Sequence, residues 1–348
     1  MIDFRYHLVS IIAVFLALAI GIVLGSTELQ GSTLDVLRAE NNSLTNKLND
    51  ANASLNSAAT VAGASNTFLT NAEPKLLAAM LTGDRIVLVT EPGAPSSIIN
   101  GIQKAAGYAG AAISGTVALQ PKFSDLSGST RSSLSAINNQ LAATDFTALA
   151  PATDQQTLNQ QEAAQLIATA ILERTDGQLG LSVSQAQALL GAYAKSGYLT
   201  TSGTPWNRAT LAVIVAPQNA PSDGAGDPVN QVLLAVAAQF AEASAGTLVA
   251  GSAASSGSAS SAIAVLRGSS VSGQVSSVDN ADAVLGQISS IWALADQQAG
   301  GKPNSYGISG ASAVSPPVPT PVPSVTPTVS STPTTKATGG VKKTVKTK

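Results

Sequence analysis

The sequence predicts an α/β protein built in four parts: an N-terminal transmembrane helix, a coiled-coil stalk, a layered α/β domain with a mostly parallel sheet, and a disordered C-terminal tail. Three observations predict this. An uncharged apolar run spans Leu8 to Thr27, leucines and small residues then recur at spacings of three and four, and short apolar strands alternate with helical stretches further on. The expected boundaries are 1–27 for the anchor with a short cytoplasmic N-terminus, 28–72 for the stalk, 75–305 for the domain and 311–348 for the tail.

The apolar run comes first. Its twenty residues, at about 1.5 Å each in a helix, reach roughly the 30 Å of a bilayer core. A cleaved signal peptide would have a shorter apolar region followed by small residues. Here Ala17-Leu18-Ala19 lies in mid-run and Gly25-Ser26 is a poor cut site, so the run reads as an uncleaved anchor. Arg5 precedes it, and the first charges after it are Glu28, Asp35 and Arg38. The positive-inside rule then sets the N-terminus in the cytoplasm and the bulk of the chain outside, in the cell envelope. Phe4 and Tyr6 suit the interface. Gly21 and Gly25 form a small-xxx-small pair that would let two anchors approach, although glycine is also common in membrane helices generally.

The stalk follows. Leu34, Asn41, Leu48, Leu55 and Ala62 fall on position a of a heptad, and Leu37, Leu44, Ala51 and Ala58 on position d. This seam predicts a parallel homodimer, with Asn41 fixing the register because two buried amides pair only when aligned. A single amphipathic helix packed on its own domain is the competing reading. Glu73-Pro74 is expected to break the stalk.

In the domain, Ile86 to Thr90 reads as a buried strand, Ser96 or Ser97 to Ala106 as a helix, and Ala111 to Leu119 as a second strand. Helices are expected over Arg131 to Leu149, Thr157 to Thr175 and Ser184 to Lys195. Leu211 to Val215 is the clearest later strand. Asp227-Pro228 opens a helix to Ala243. Thr247 to Ala250 and Val275 to Val278 read as strands, Ala262 to Arg267 and Ala281 to Ala299 as helices. From Ala311 onward, prolines among Ser, Thr and Val give way to lysines, a composition that stays extended.

Composition narrows the chemistry. The 348 residues include no cysteine, which removes disulfides, zinc thiolates and cysteine nucleophiles, and one histidine, His7, at the mouth of the anchor. The soluble part therefore has no His-based acid–base pair. Net charge is −2, with lysines and no acid after residue 311, so the body is mildly acidic and nucleic acid is not expected as a partner. The lysine tail either meets anionic polymers or head groups or simply aids solubility. Glu91-Pro92-Gly93-Ala94-Pro95, after the first strand, matches no phosphate-binding loop and reads as a structural turn. Asp279 and Asp282 stand where a helix begins and read as helix caps rather than a catalytic or metal pair. His7, Met1 and Met80 are the soft-metal inventory and show no ligand spacing. The residues give no catalytic or cofactor-binding set, no assignable metal ligand and no alternating barrel strands, so the expectation is a non-enzyme.

The opening Met1-Ile2-Asp3-Phe4-Arg5-Tyr6-His7-Leu8-Val9-Ser10, continuing to Gly21-Ile22-Val23-Leu24-Gly25-Ser26, resembles the N-terminus of the mycobacterial copper transport protein B family of actinobacteria. Gly83-Asp84-Arg85-Ile86-Val87-Leu88-Val89, Gly197-Tyr198-Leu199, Ser277-Val278-Asp279-Asn280-Ala281-Asp282 and Tyr306-Gly307 continue the likeness in order, so that it covers roughly residues 1–307. The resemblance implies an envelope protein of copper efflux and copper homeostasis, with copper as the transported ion, described as channel-forming in an outer membrane. The residues themselves suit a second reading better: a non-enzymatic dimeric scaffold, paired through Leu34, Leu37, Asn41, Leu44, Leu48 and Leu55, that binds a cell-envelope or cell-separation partner.

Overall fold

A computed structural model describes residues 4–142, 157–173, 180–218 and 224–319; at 27–33, 142 and 225 it describes the backbone alone. The described chain divides into two compact units, residues 1–73 with 283–285, and residues 74–282 with 286–348.

The first unit is dominated by helix α1 (Phe4–Leu77). At about 1.5 Å per residue its 74 residues extend over roughly 110 Å. Its first segment, Phe4–Ser26, has mean hydropathy 2.9 and no buried residue, the length and composition of a membrane span. The seam residues are exposed in the single chain, from Leu34 at 49% to Leu55 at 68%. The helix also answers the expected break at Pro74. It runs on to Leu77, because a proline this close to the end costs only the one bond its missing N–H would have made. The chain turns just beyond, where Ala79 takes a left-handed φ of 62° and Gly83 one of 89°.

The second unit is a seven-stranded sheet between two helical layers. Its strands are β1 (Arg85–Thr90), β2 (Ala112–Leu119), β3 (Leu199–Gly203), β4 (Leu211–Val215), β5 (Gly246–Ala250), β6 (Ser276–Val278) and β7 (Ser305–Tyr306). Its helices are α2 (Ser96–Tyr108), α3 (Gly128–Ala142), α4 (Leu158–Ile171), α5 (Val183–Lys195), α6 (Pro228–Ala243), α7 (Ala262–Arg267) and α8 (Val284–Gln298). The sheet order is β3-β2-β1-β4-β5-β6-β7, parallel throughout except for β3. The expected α/β domain with a mostly parallel sheet is therefore present.

Period-2 alternation divides the central strands between two cores. Val87 and Val89 of β1, Ala212 and Ile214 of β4 and Val249 of β5 join the larger core with Ile167 of α4, Leu190 of α5, Phe240 of α6 and Leu266 of α7. Ile86, Leu88, Val213 and Leu248 are equally buried but lie outside that core, as do Ile98 and Ile102 of α2 and Ile288 and Ile291 of α8. Gln297 of α8 reaches across this second face, bonding both Thr247 N–H (3.1 Å) and Thr247 O (3.2 Å) of β5 and Ser276 Oγ (2.9 Å) of β6.

Several boundaries move. The helix expected over 131–149 spans Gly128–Ala142, and 143–149 lie outside the described residues. The helix expected to Thr175 ends at Ile171, because Leu172 turns extended and bridges Ala209 beside β4. Strand β3 was not expected. It is a polar edge strand in which only Leu199 is buried. It packs tightly on β2, where a Cβ on Gly115 would come within 2.6 Å of Ser202 O. Residues expected at the start of the tail fold back as well: Ser312 and Ala313 donate to Ser305 O, and Ala313 bridges Tyr306. Residues 320–348, the lysines included, lie outside the described residues.

Candidate functional site at the carboxyl edge of the sheet

The topology picks out one edge. From β1 the chain moves to β2 on one side. It later returns to β4 on the other side and proceeds away through β5, β6 and β7. The order reverses between β1 and β4, and in open parallel sheets the crevice beyond the carboxyl ends of such strands is where ligands sit. Two proline-bearing loops leave this point, Glu91-Pro92-Gly93-Ala94-Pro95 from β1 and Ala216-Pro217-Gln218 from β4. They are tied by Glu91 N–H donating to Val215 O (3.1 Å) and Gln218 N–H donating to Gly93 O (3.3 Å). Gly93 has a φ of 86° and sits against Pro217, so the turn uses a glycine where another residue would be strained.

Glu91 is the unusual group here. It is 2% exposed, and neither carboxyl oxygen has a hydrogen-bond partner among the described residues. Burial without a compensating charge penalises the ionised form and pushes its pKa up to about 8. Around neutrality the side chain is therefore mostly a neutral acid. The turn reading stands for the backbone, but it overlooked this carboxyl. An acid directly after an apolar strand and before Pro-Gly was the available signal.

A second carboxylate occupies the matching place beyond β6. Asp279 is fully buried and completely engaged. Arg267 Nη1 donates to it at 2.8 Å, Ile308 N–H at 2.7 Å and Ser309 N–H at 2.9 Å. Arg267, at the end of α7, also donates to Ser277 Oγ (3.0 Å), Ser309 O (2.6 Å) and Tyr306 O (2.9 Å). The pair clamps the chain beyond β7 onto the sheet. The expected helix-capping role of Asp279 is thus overturned. Helix α8 starts later, at Val284, and the Asp279 oxygens are used by partners far along the chain; Asp282 is exposed and lies two residues before the helix.

The soft-metal inventory is spread out. His7 is exposed on α1, Met80 is half-buried just after it in the other unit, and Met1 lies outside the described residues. Among the described residues no group of three or more His, Cys, Asp or Glu side chains gathers at one point.

A family model described as "Copper transport outer membrane protein, MctB" matches residues 1–316. The chain belongs to that family. The match takes in the apolar helix, the whole sheet, Glu91 and the Arg267–Asp279 clamp, and stops where the described residues nearly end. A protein named copper transporter MctB from Mycobacterium tuberculosis is 30% identical over 312 residues, covering 88% of this chain and 96% of that protein. One of the same name from Mycobacterium leprae is 28% identical over 328 residues, covering 91% and 100%. The family resemblance drawn from the N-terminal block and the later motifs is therefore upheld along the chain.

Proposed function

We propose that this MctB-family protein serves copper homeostasis from a membrane anchor, assisting copper efflux rather than forming a complete pathway by itself. The observation that carries this reading is the family match over residues 1–316, joined to one membrane-length apolar helix among the described residues, at its start. One helix encloses no channel, so in this reading copper passes through an assembly of several copies or through a partner. In this reading the N-terminus is cytoplasmic, the α/β unit stands in the cell envelope, and the protein is not an enzyme. Deleting the gene should raise cellular copper and copper sensitivity, and the full chain should restore both. Unchanged copper content and sensitivity in the deletion strain would remove the proposal.

A second reading is favoured by one observation, the exposed leucine seam of α1. Five leucines left in water on one face call for a cover, and a second copy in register supplies it, with Asn41 facing Asn41. The chain is then a dimeric scaffold for a cell-envelope or cell-separation partner. Sedimentation of the full chain in detergent should give a dimer, and the double substitution Leu44→Asn, Leu48→Asn should give a monomer with the sheet domain still folded. A wild-type monomer at micromolar concentration contradicts it.

A further inference from the structure

Glu91 is not alone at the carboxyl edge of the sheet. Continuing the alternation of Val87 and Val89, its side chain falls on the face covered by α4 and α6. Both helices begin at this edge. Helix α4 ends beside Ala209, at the amino end of β4, and α6 starts after β4 and ends just before β5. A short 3-10 turn, Pro121–Ser124, follows β2 at the same edge and contacts α6.

Near this edge, three buried side chains keep an oxygen without a hydrogen-bond partner among the described residues: Ser124 Oγ, Gln160 Oε1 in the first turn of α4, and Asn230 Oδ1 in the first turn of α6; the half-buried Gln231 beside Asn230 and Gln239 further along α6 keep an unpartnered oxygen too. Their orientations are set by their other ends. Asn230 Nδ2 donates to Gly224 O (2.7 Å) and Ser260 O (3.0 Å), and Gln160 Nε2 points to Phe123 O (3.5 Å). Both amides therefore keep their oxygens for something else. Ser124 is 6% exposed, and Gln160 and Asn230 are 0% exposed.

The chemistry of this set is one-sided. It offers a carboxyl, two amide oxygens and a hydroxyl, with no sulfur or imidazole, and buried oxygens of this kind are ordinarily satisfied. All of these atoms are sealed from solvent, which leaves no way in for an organic molecule and restricts an occupant to a single ion or water. Oxygen-only donors favour hard cations over copper(I), which seeks thiolate or thioether. We propose that the carboxyl edge of the sheet, between β1, α4 and α6, binds a hard cation of the calcium or magnesium type through Glu91, Ser124, Gln160 and Asn230. The site is independent of the copper reading. Its cation displaces the proton that Glu91 carries near neutrality, so binding releases a proton to solvent and tightens as pH rises towards about 8.

The test uses the full chain in detergent micelles, stripped with chelator and then titrated separately with calcium chloride, magnesium chloride and potassium chloride. Thermal unfolding and calorimetry in two buffers of different ionisation enthalpy are the readouts. Calcium or magnesium should raise Tm by several degrees with release of a proton. The apparent affinity should tighten by up to about tenfold per pH unit below pH 8. Glu91→Gln, similar in shape, should lose both the Tm shift and the proton release. Gln160→Glu, which adds a second carboxylate, should tighten calcium binding about tenfold. Failure of all three salts to shift Tm, or an equal shift in Glu91→Gln, means the oxygens are satisfied internally or by water and overturns the proposal. If Glu91→Gln does not fold, Gln160→Glu decides alone, and an unchanged or weaker affinity there overturns it.

Discussion

Two buried carboxyls, each one residue beyond the end of a parallel strand, meet opposite fates in this protein. Asp279, after β6, collects an arginine and two backbone amides. Glu91, after β1, collects no partner among the described residues. Depth does not distinguish them, at 0% and 2% exposure. Their surroundings do. At β6 the chain returns through β7 and lays its backbone across the acid. At the switch point the chain diverges in both directions, and no described donor reaches the acid. A filled set of hydrogen bonds makes a buried charge structural, whereas an unfilled set leaves a group whose charge is open to change by a proton or a ligand.

The largest effect that sharpens this contrast is on the clamp. Asp279→Asn removes the charge that compensates a guanidinium only 11% exposed, and breaking such a pair on one side costs about 3–5 kcal/mol. Denaturant unfolding of the full chain should show that loss. The double change Asp279→Asn, Arg267→Met should recover part of it, because no unpaired charge is then left. A double mutant as weak as the sum of the single changes would contradict the clamp.

Glu91→Gln should act in the other direction. The folded-state pKa of Glu91 lies above its unfolded value, so the fold binds more protons than the unfolded chain between roughly pH 4.5 and 8. Stability attributable to this group is fully present below that window and is lost as pH rises through it, by roughly one kcal/mol per pH unit. Without added divalent cation, Glu91→Gln should therefore gain on the wild type as pH rises and be more stable by a few kcal/mol at pH 8. Parallel stability–pH curves would break the comparison.

The smallest effect is at the rim of the clamp. Ser277→Ala deprives Arg267 Nε of its acceptor and should cost about 1 kcal/mol, with no effect on the Glu91 pH dependence. A change in that dependence would mean the two carboxyls are coupled across the sheet edge.

The contrast also marks what could be read beforehand. Apolar runs such as Leu211 to Val215 and start signals such as Asp227-Pro228 are local, and β4 and α6 appear where these place them. Strand β3 carries no local signal, because its Leu-Thr-Thr-Ser-Gly has one buried residue and owes its strand form to pairing with β2. The role of Asp279 is not local either: a helix cap is visible within four residues, whereas Arg267 lies twelve residues away and the two amides about thirty. The turn at Glu91 is legible but its buried carboxyl is not, because burial of a side chain depends on which helices cover the sheet face. The spacing rules also placed the seam on α1, but a seam does not name its occupant.

At neutral pH the Glu91 carboxyl, buried without a partner among the described residues, is mostly a neutral acid, whereas Asp279 is held by Arg267 and two backbone amides. Infrared difference spectroscopy of the chelator-treated full chain, with Glu carboxyls labelled with carbon-13, measures this state. A protonated Glu carbonyl band is expected at pH 7 that fades by about pH 9, is missing in Glu91→Gln and persists in Asp279→Asn. A Glu91→Gln spectrum identical to the wild type would show that Glu91 is ionised at pH 7 and that burial does not hold its proton.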